Sequence, residues 1–191
     1  MNQKKTTGRV TLAKNKELLF FDTDNLSCFL WIDNKAILPL LYPGRIRIPE
    51  QVEQEIIRVP TLQKRLETLQ SHGAVQVVEI NLGSKEEIEY NNIIEESKKT
   101  KLVGDGEAAC LVLARFNNGI IASNNTVDIS EYCVKYGIIQ KRTGDILKEA
   151  LDKGIITMEE GEQLWSEMRK QKRWLTADTF TEFLEKNYKT N

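Results

Sequence analysis

The chain has 191 residues, 40% hydrophobic and 29% charged, a profile that suits a soluble globular domain with room for an appendage. Its 27 basic and 28 acidic residues nearly cancel. This excludes a histone-like basic binder and a polyacidic tail protein but leaves nucleic acid open as a partner, because a balanced total can hide separate patches. Three scattered cysteines and a single histidine exclude a disulfide framework and leave a structural zinc site without ligands. No apolar run is long enough for a signal core or a membrane span, so a cytoplasmic, reducing setting with no membrane partner is expected.

Residues 1–16 carry five basic and no acidic side chains, among them Lys4, Lys5 and Arg9, and read as a flexible basic arm. The apolar run 17–22 ends in Asp22 and predicts a buried strand whose C-terminal end meets solvent. A helix is expected over 24–42, stopped by Pro43 and Gly44, then a short strand over 45–48. Pro49 opens a helix over 50–58, a second helix covers 61–72, and a strand covers 74–80. Helices follow over 84–99 and 104–117, a strand over 119–123, a helix over 126–136 and a last strand over 138–140. Three more helices close the chain, at about 142–153, 158–172 and 177–187. Strands alternating with helices of ten or more residues imply a parallel sheet covered on both faces, with its site at the C-terminal strand ends.

The informative residues are acids in apolar places. Asp22 closes the first strand. Glu55 shares a helical stripe with Val52, Ile56 and Val59, and Glu107 shares one with Cys110, Leu111 and Ala114. Each has an ordinary reading: Asp22 as a helix cap, Glu55 at the edge of its stripe, Glu107 as a first-turn acid. Taken together they suggest a shared acidic pocket. Mutual repulsion there calls for a cation, and with no His or Cys nearby the hard ions Mg²⁺ or Mn²⁺ fit best.

The ordered set Phe21-Asp22-Thr23, Ile48 to Ile56 with Glu55, Gly104-Asp-Gly-Glu-Ala-Ala109 and Ile120-Ile-Ala-Ser-Asn-Asn125 resembles the motifs of PIN-domain proteins. The segment Lys141 to Ile156 resembles the end of that domain in some members. The resemblance implies a three-layer α/β/α fold with a central, mostly parallel sheet over 17–156, followed by a helical C-terminal extension over 157–191. It implies a metal-dependent nuclease acting on RNA; because many relatives are toxins of toxin–antitoxin pairs, a toxin held by an antitoxin protein is the expectation. Asp22, Glu55 and Glu107 match the first three acidic ligands. At the fourth position many relatives have Thr-Asp-Asp where this chain has Ser123-Asn124-Asn125. Asp128, read as lying one helical turn later, is the expected substitute catalytic and metal-binding acid; it also reads as an ordinary first-turn helix acid. Asn124 is expected as a weaker ligand or substrate contact, beside Asn125. Thr23 and Asp24 are expected to orient Asp22, with Thr23 also near substrate.

Two other readings compete. A degraded site at Asn124-Asn125 would leave a PIN-fold protein that binds RNA or a partner without cutting it. Asp22-x-Asp24 after an apolar strand also resembles the nucleophile motif of haloacid dehalogenase-type phosphatases, although that reading gives Glu55 and Glu107 no role. Near the C-terminus, Leu164, Trp165 and Met168 form an apolar stripe that reads as a homodimer or antitoxin surface wherever it is exposed. Arg169, Lys170, Lys172, Arg173 and Trp174 form a basic cluster with an aromatic beside it, read either as a solvated helix end or as a substrate-binding patch. Phe180 and Phe183 are expected to pack the tail onto the core. His72 reads as a surface residue at a helix end, and Cys110 and Cys133 as small core residues.

Overall fold

The computed structural model describes residues 17–100 and 103–188, so the basic arm over 1–16 lies outside the described residues. Five strands form one sheet: β1 (Leu19–Phe21), β2 (Ile46–Pro49), β3 (Val75–Val78), β4 (Ile120–Ala122) and β5 (Ile139–Lys141). The order is β3-β2-β1-β4-β5 and every pairing is parallel. The helices are α1 (Thr23–Trp31), α2 (Ile37–Leu41), α3 (Glu50–Ile56), α4 (Pro60–Ser71), α5 (Lys85–Thr100), α6 (Asp105–Phe116), α7 (Ser130–Tyr136), α8 (Thr143–Asp152), α9 (Met158–Lys170) and α10 (Phe180–Tyr188). They cover both faces of the sheet, giving an α/β/α architecture with C-terminal helices.

The chain steps outward from β1 through β2 to β3, then returns to the other side of β1 for β4 and β5. The strand order therefore reverses between β1 and β4, where an open α/β sheet forms a crevice at its C-terminal edge. These two strands are buried at every residue, as their uninterrupted apolar sequences require. Phe21 lies opposite Ala122, and the Asp22 N–H donates to the Ala122 carbonyl (3.0 Å), so the chains leaving both strands start side by side. The edge strands β3 and β5 are only partly buried.

Helix α6 packs against β1, β2 and β4, and its residues from Ala108 to Ala114 are all buried. A helix apolar around most of its circumference belongs in the middle of a fold. The expected single helix over 24–42 is instead two. Asp33 takes a left-handed backbone (φ 53°), and the Asn34 side chain accepts the Ala36 and Ile37 N–H groups (3.2 and 3.0 Å), ending one helix and starting the next. The expected strand over 74–80 shortens to β3, and the helix that Pro49 opens, α3, ends at Ile56 rather than 58.

The tail is fastened by aromatic rings on glycines. An atom added at Gly144 of α8 would lie 2.4 Å from the Phe183 ring, and one at Gly161 of α9 would lie 2.7 Å from the Phe180 ring. Both rings also contact Trp165, with centroids 5.8 and 5.4 Å away. Trp165 and Met168 are thereby buried and Leu164 half-buried, so most of the stripe read as a docking surface where exposed is covered within the chain. Burying side chains of this size contributes roughly 1.5–3 kcal/mol each. The helix expected over 177–187 begins only at Phe180, and α9 ends at Lys170 rather than 172. Among the described residues, no helix is long and apolar enough to cross a membrane.

Candidate active site

At the C-terminal ends of β1 and β4 lies a cleft of about 490 Å³. Its walls hold five carboxylates, those of Asp22, Asp24, Glu55, Glu107 and Asp128, together with Thr23, Asn124, Asn125 and Trp174, and among the described residues no lysine, arginine or histidine. The four acids expected as ligands thus come from four separate segments to one place.

Asp22 serves as both helix cap and cleft residue. Its Oδ1 accepts the Asn25 N–H at the start of α1 (2.7 Å), and the Ser123 side chain also hydrogen-bonds to it. Thr23 and Asp24, expected to orient Asp22, do otherwise. The Thr23 hydroxyl donates to Glu55 Oε2, and Asp24 is exposed at the cleft. Ser123 and the Asn25 amide take the orienting role. The Asn25 position was findable, since it stands three residues after a capping aspartate.

Glu55 projects from α3, beside the buried Val52 and Ile56. It meets the start of α6 closely: a side-chain atom added at Gly106 would lie 3.3 Å from Glu55 Oε1 and 3.0 Å from Val52 Cγ2. Gly106 therefore lets α6 approach Glu55. Glu107 sits in the first turn of α6, and its Oε2 accepts the Gly104 N–H (3.2 Å).

The segment after β4 departs from the expected helix over 126–136, because α7 starts at Ser130. Residues 125–128 form a turn instead: Asn125 Oδ1 accepts the Asp128 N–H (3.1 Å). The Asn125 amide Nδ2 donates to both Glu107 and Asp128. Gln140 Nε2 fastens the turn from below through the Ser123 and Asn125 carbonyls (3.0 and 3.1 Å). Asn124 lines the cleft but is buried. Its Oδ1 accepts the Thr143 N–H (2.9 Å) at the start of α8, and its Nδ2 donates to Cys28 Sγ (3.6 Å).

Of the basic cluster, only Trp174 reaches the cleft walls. Arg173 turns to Ser27 Oγ (3.2 Å) and over the Trp31 ring, Lys172 is exposed, and Arg169 pairs with Asp178 (2.5 Å).

Burial raises the Asp22 carboxyl to about 8, with repulsion from Glu107 and Asp24 adding to it and the Ser123 and Asn25 bonds opposing it. Burial likewise pushes Glu107 above the usual carboxylate range, helped by Asp128 and Asp24 and opposed by Asn125 and the Gly104 N–H. Among the described residues, no three His, Cys, Asp or Glu side chains converge closely enough to hold an ion as they stand. Glu55, Glu107 and Asp128 are engaged by the Thr23 and Asn125 donors. The donor chemistry nevertheless fits a hard divalent cation: among the described residues every charged wall group is a carboxylate oxygen donor, and burial with neighbouring negative charge disfavours ionisation of the most buried one, Asp22.

A search of curated protein sequences finds no significant match. A family model described as DUF3368, a PIN domain, matches residues 18–189, from the first strand through the C-terminal helices. The match is to a nuclease-type fold. With the parallel order of the sheet and the acidic cleft at its switch point, this places the chain in the PIN-domain family.

Proposed function

We propose that this chain is a divalent-metal-dependent ribonuclease that hydrolyses RNA phosphodiesters in the cleft between β1 and β4. The observation that carries the reading is the wall of five carboxylates, with no basic side chain beside them among the described residues. Such a wall repels a phosphate unless a cation stands between them. Asp22, Glu55, Glu107 and Asp128 are the residues that would hold Mg²⁺ or Mn²⁺. When bound, the ion supplies positive charge at the phosphate and acidifies water for attack.

The chain's own residues do the positioning. Asp22 is fixed at the end of the most buried strand by the Asn25 N–H and Ser123. Thr23 holds Glu55, and Asn125 keeps Glu107 and Asp128 at a set spacing. Cys28 and Cys110 are buried and do not line the cleft, and burial raises both thiols, Cys28 to about 12, so neither is poised as a nucleophile.

The test is cleavage of a mixed RNA pool in Mn²⁺, with EDTA and Asp22→Asn as controls. Cleavage that needs the metal and disappears in the variant is expected. Cleavage that persists in EDTA overturns the metal mechanism. No cleavage by a chain that binds RNA would instead favour a PIN-fold binding protein, in keeping with the amides at 124 and 125.

A further inference from the structure

Trp174 is held in an unusual position for a large apolar side chain. Helix α9 ends at Lys170, and Lys172 takes a left-handed backbone (φ 57°) that turns the chain back. The turn is closed by the Lys172 N–H on Arg169 O (2.8 Å) and the Arg173 N–H on Met168 O (3.1 Å). On one side of Trp174, Arg173 is anchored to Ser27 of α1. On the other, the Ala177 carbonyl accepts from Trp165 Nε1 (3.2 Å) and Arg169 (2.9 Å). The segment is thus tied at both ends, yet Trp174 itself stays 61% exposed at the cleft wall.

Val127, in the turn that carries Asp128, is 76% exposed and lines the same cleft. Apolar side chains kept in water beside a row of carboxylates fit a ligand with two unlike parts. One part is anionic and joins the acids through a cation; the other is flat and apolar. A nucleotide has both. Its base offers a free face only when it is unpaired, because stacking and pairing occupy the base surfaces within a duplex. Lys170 and Lys172 are exposed and make no ion pair among the described residues, which leaves positive charge on the same turn for neighbouring phosphates.

We infer that Trp174 is a stacking platform for an unpaired base next to the phosphate held in the cleft. The inference rests on the ribonuclease reading for the identity of the anionic part. It adds a residue that selects between strand states and an expected insensitivity to base identity, since every base has a stacking face.

The experiment uses the full chain carrying Asp22→Asn, in Mn²⁺, with a short fluorescein-labelled RNA presented as a single strand or as a blunt duplex. Anisotropy and indole fluorescence are read together. The single strand is expected to bind and quench the indole emission, and the duplex to bind weakly. Trp174→Ala is expected to weaken single-strand binding about 5- to 100-fold and to remove most of the quench. Trp174→Phe should retain most of the affinity, and unchanged melting temperatures would show that both variants fold. Single-strand affinity unchanged in Trp174→Ala, duplex binding as tight as single-strand binding, or no RNA binding at all overturns the platform. The two proposals separate cleanly. Quenching without any metal-dependent cleavage by the parent chain keeps the platform and overturns the nuclease. Cleavage whose kcat/KM is the same in Trp174→Ala keeps the nuclease and overturns the platform.

Discussion

The Asn125 amide nitrogen joins Glu107 to Asp128, donating to one oxygen of each at 2.9 Å. A neutral side chain thus offsets part of the repulsion between two acids. Asn125→Asp removes both donors and adds a charge. Without divalent metal, stability is expected to fall by about 1–3 kcal/mol, the cost of leaving such groups unsatisfied. Mn²⁺ should restore most of it. Urea denaturation in EDTA and in Mn²⁺ checks this; equal stability of variant and parent in EDTA would show that the amide does not hold the pair.

Asp22 gives the chain a pH dependence of definite sign. Its carboxyl is raised from 3.8 to about 8, so the folded chain keeps a proton that the unfolded chain releases. In metal-free buffer this group therefore lowers stability as pH rises from about 4 to about 8, and its effect levels off above that. Asp22→Asn keeps an oxygen for the Asn25 N–H and carries no charge. Denaturation curves are expected to show the variant gaining on the parent across this window, by on the order of 4 kcal/mol at pH 8. A constant difference between pH 5 and pH 8 would contradict the assignment.

Gly106 sets the distance between α6 and Glu55. In Gly106→Ala, the new methyl carbon would meet Val52 Cγ2 at 3.0 Å and Glu55 Oε1 at 3.3 Å. Val52 and Glu55 must then give way by a few tenths of an ångström. Overpacking of this kind costs about 1–3 kcal/mol. The expected signature is a modest drop in melting temperature with a larger drop in Mn²⁺ affinity, read by titration calorimetry. Unaltered metal affinity would separate Glu55 from the metal.

Gly144 carries the tail. Gly144→Ala would drive a methyl into the Phe183 ring, at 2.4 Å, and is expected to destabilise the fold by about 1–3 kcal/mol. Phe183→Leu should also destabilise, by leaving space. The double variant is expected to recover part of the loss, because one change makes room for the other. Strictly additive costs in urea denaturation would rule out this contact as the source.

The strands and the acids were legible where the chemistry is local and repeated. Leu19 to Phe21 and Ile120 to Ala122 are apolar runs, and both are fully buried central strands. Glu55 and Glu107 stood out because each interrupts an apolar stripe, and both line the cleft. What escaped depends on single polar atoms or on the third dimension. The break between α1 and α2 turns on the left-handed Asp33 and the Asn34 side chain, a short polar step inside a mostly apolar stretch that reads as continuous helix. The turn at 125–128 needs Asn125 to bond its own backbone three residues on, which competes with the helix that the flanking residues favour. The contacts of Phe183 with Gly144 and of Arg173 with Ser27 join positions far apart in the chain, and no spacing rule reveals them.

The pairing of Phe21 with Ala122 bears on how the cleft moves. Its floor hangs from two strands with no exposed residue, so the Asp22 amide, bonded to the Ala122 carbonyl, is expected to be among the last to exchange its hydrogen with solvent. The rim is made differently, from the turn at 125–128 and the return loop at 172–174, whose backbones lie near the surface. Floor and rim therefore open at separate free energies. Under the proposed ribonuclease activity, the entrance is expected to adjust as RNA enters or leaves while the base of the cleft keeps its geometry.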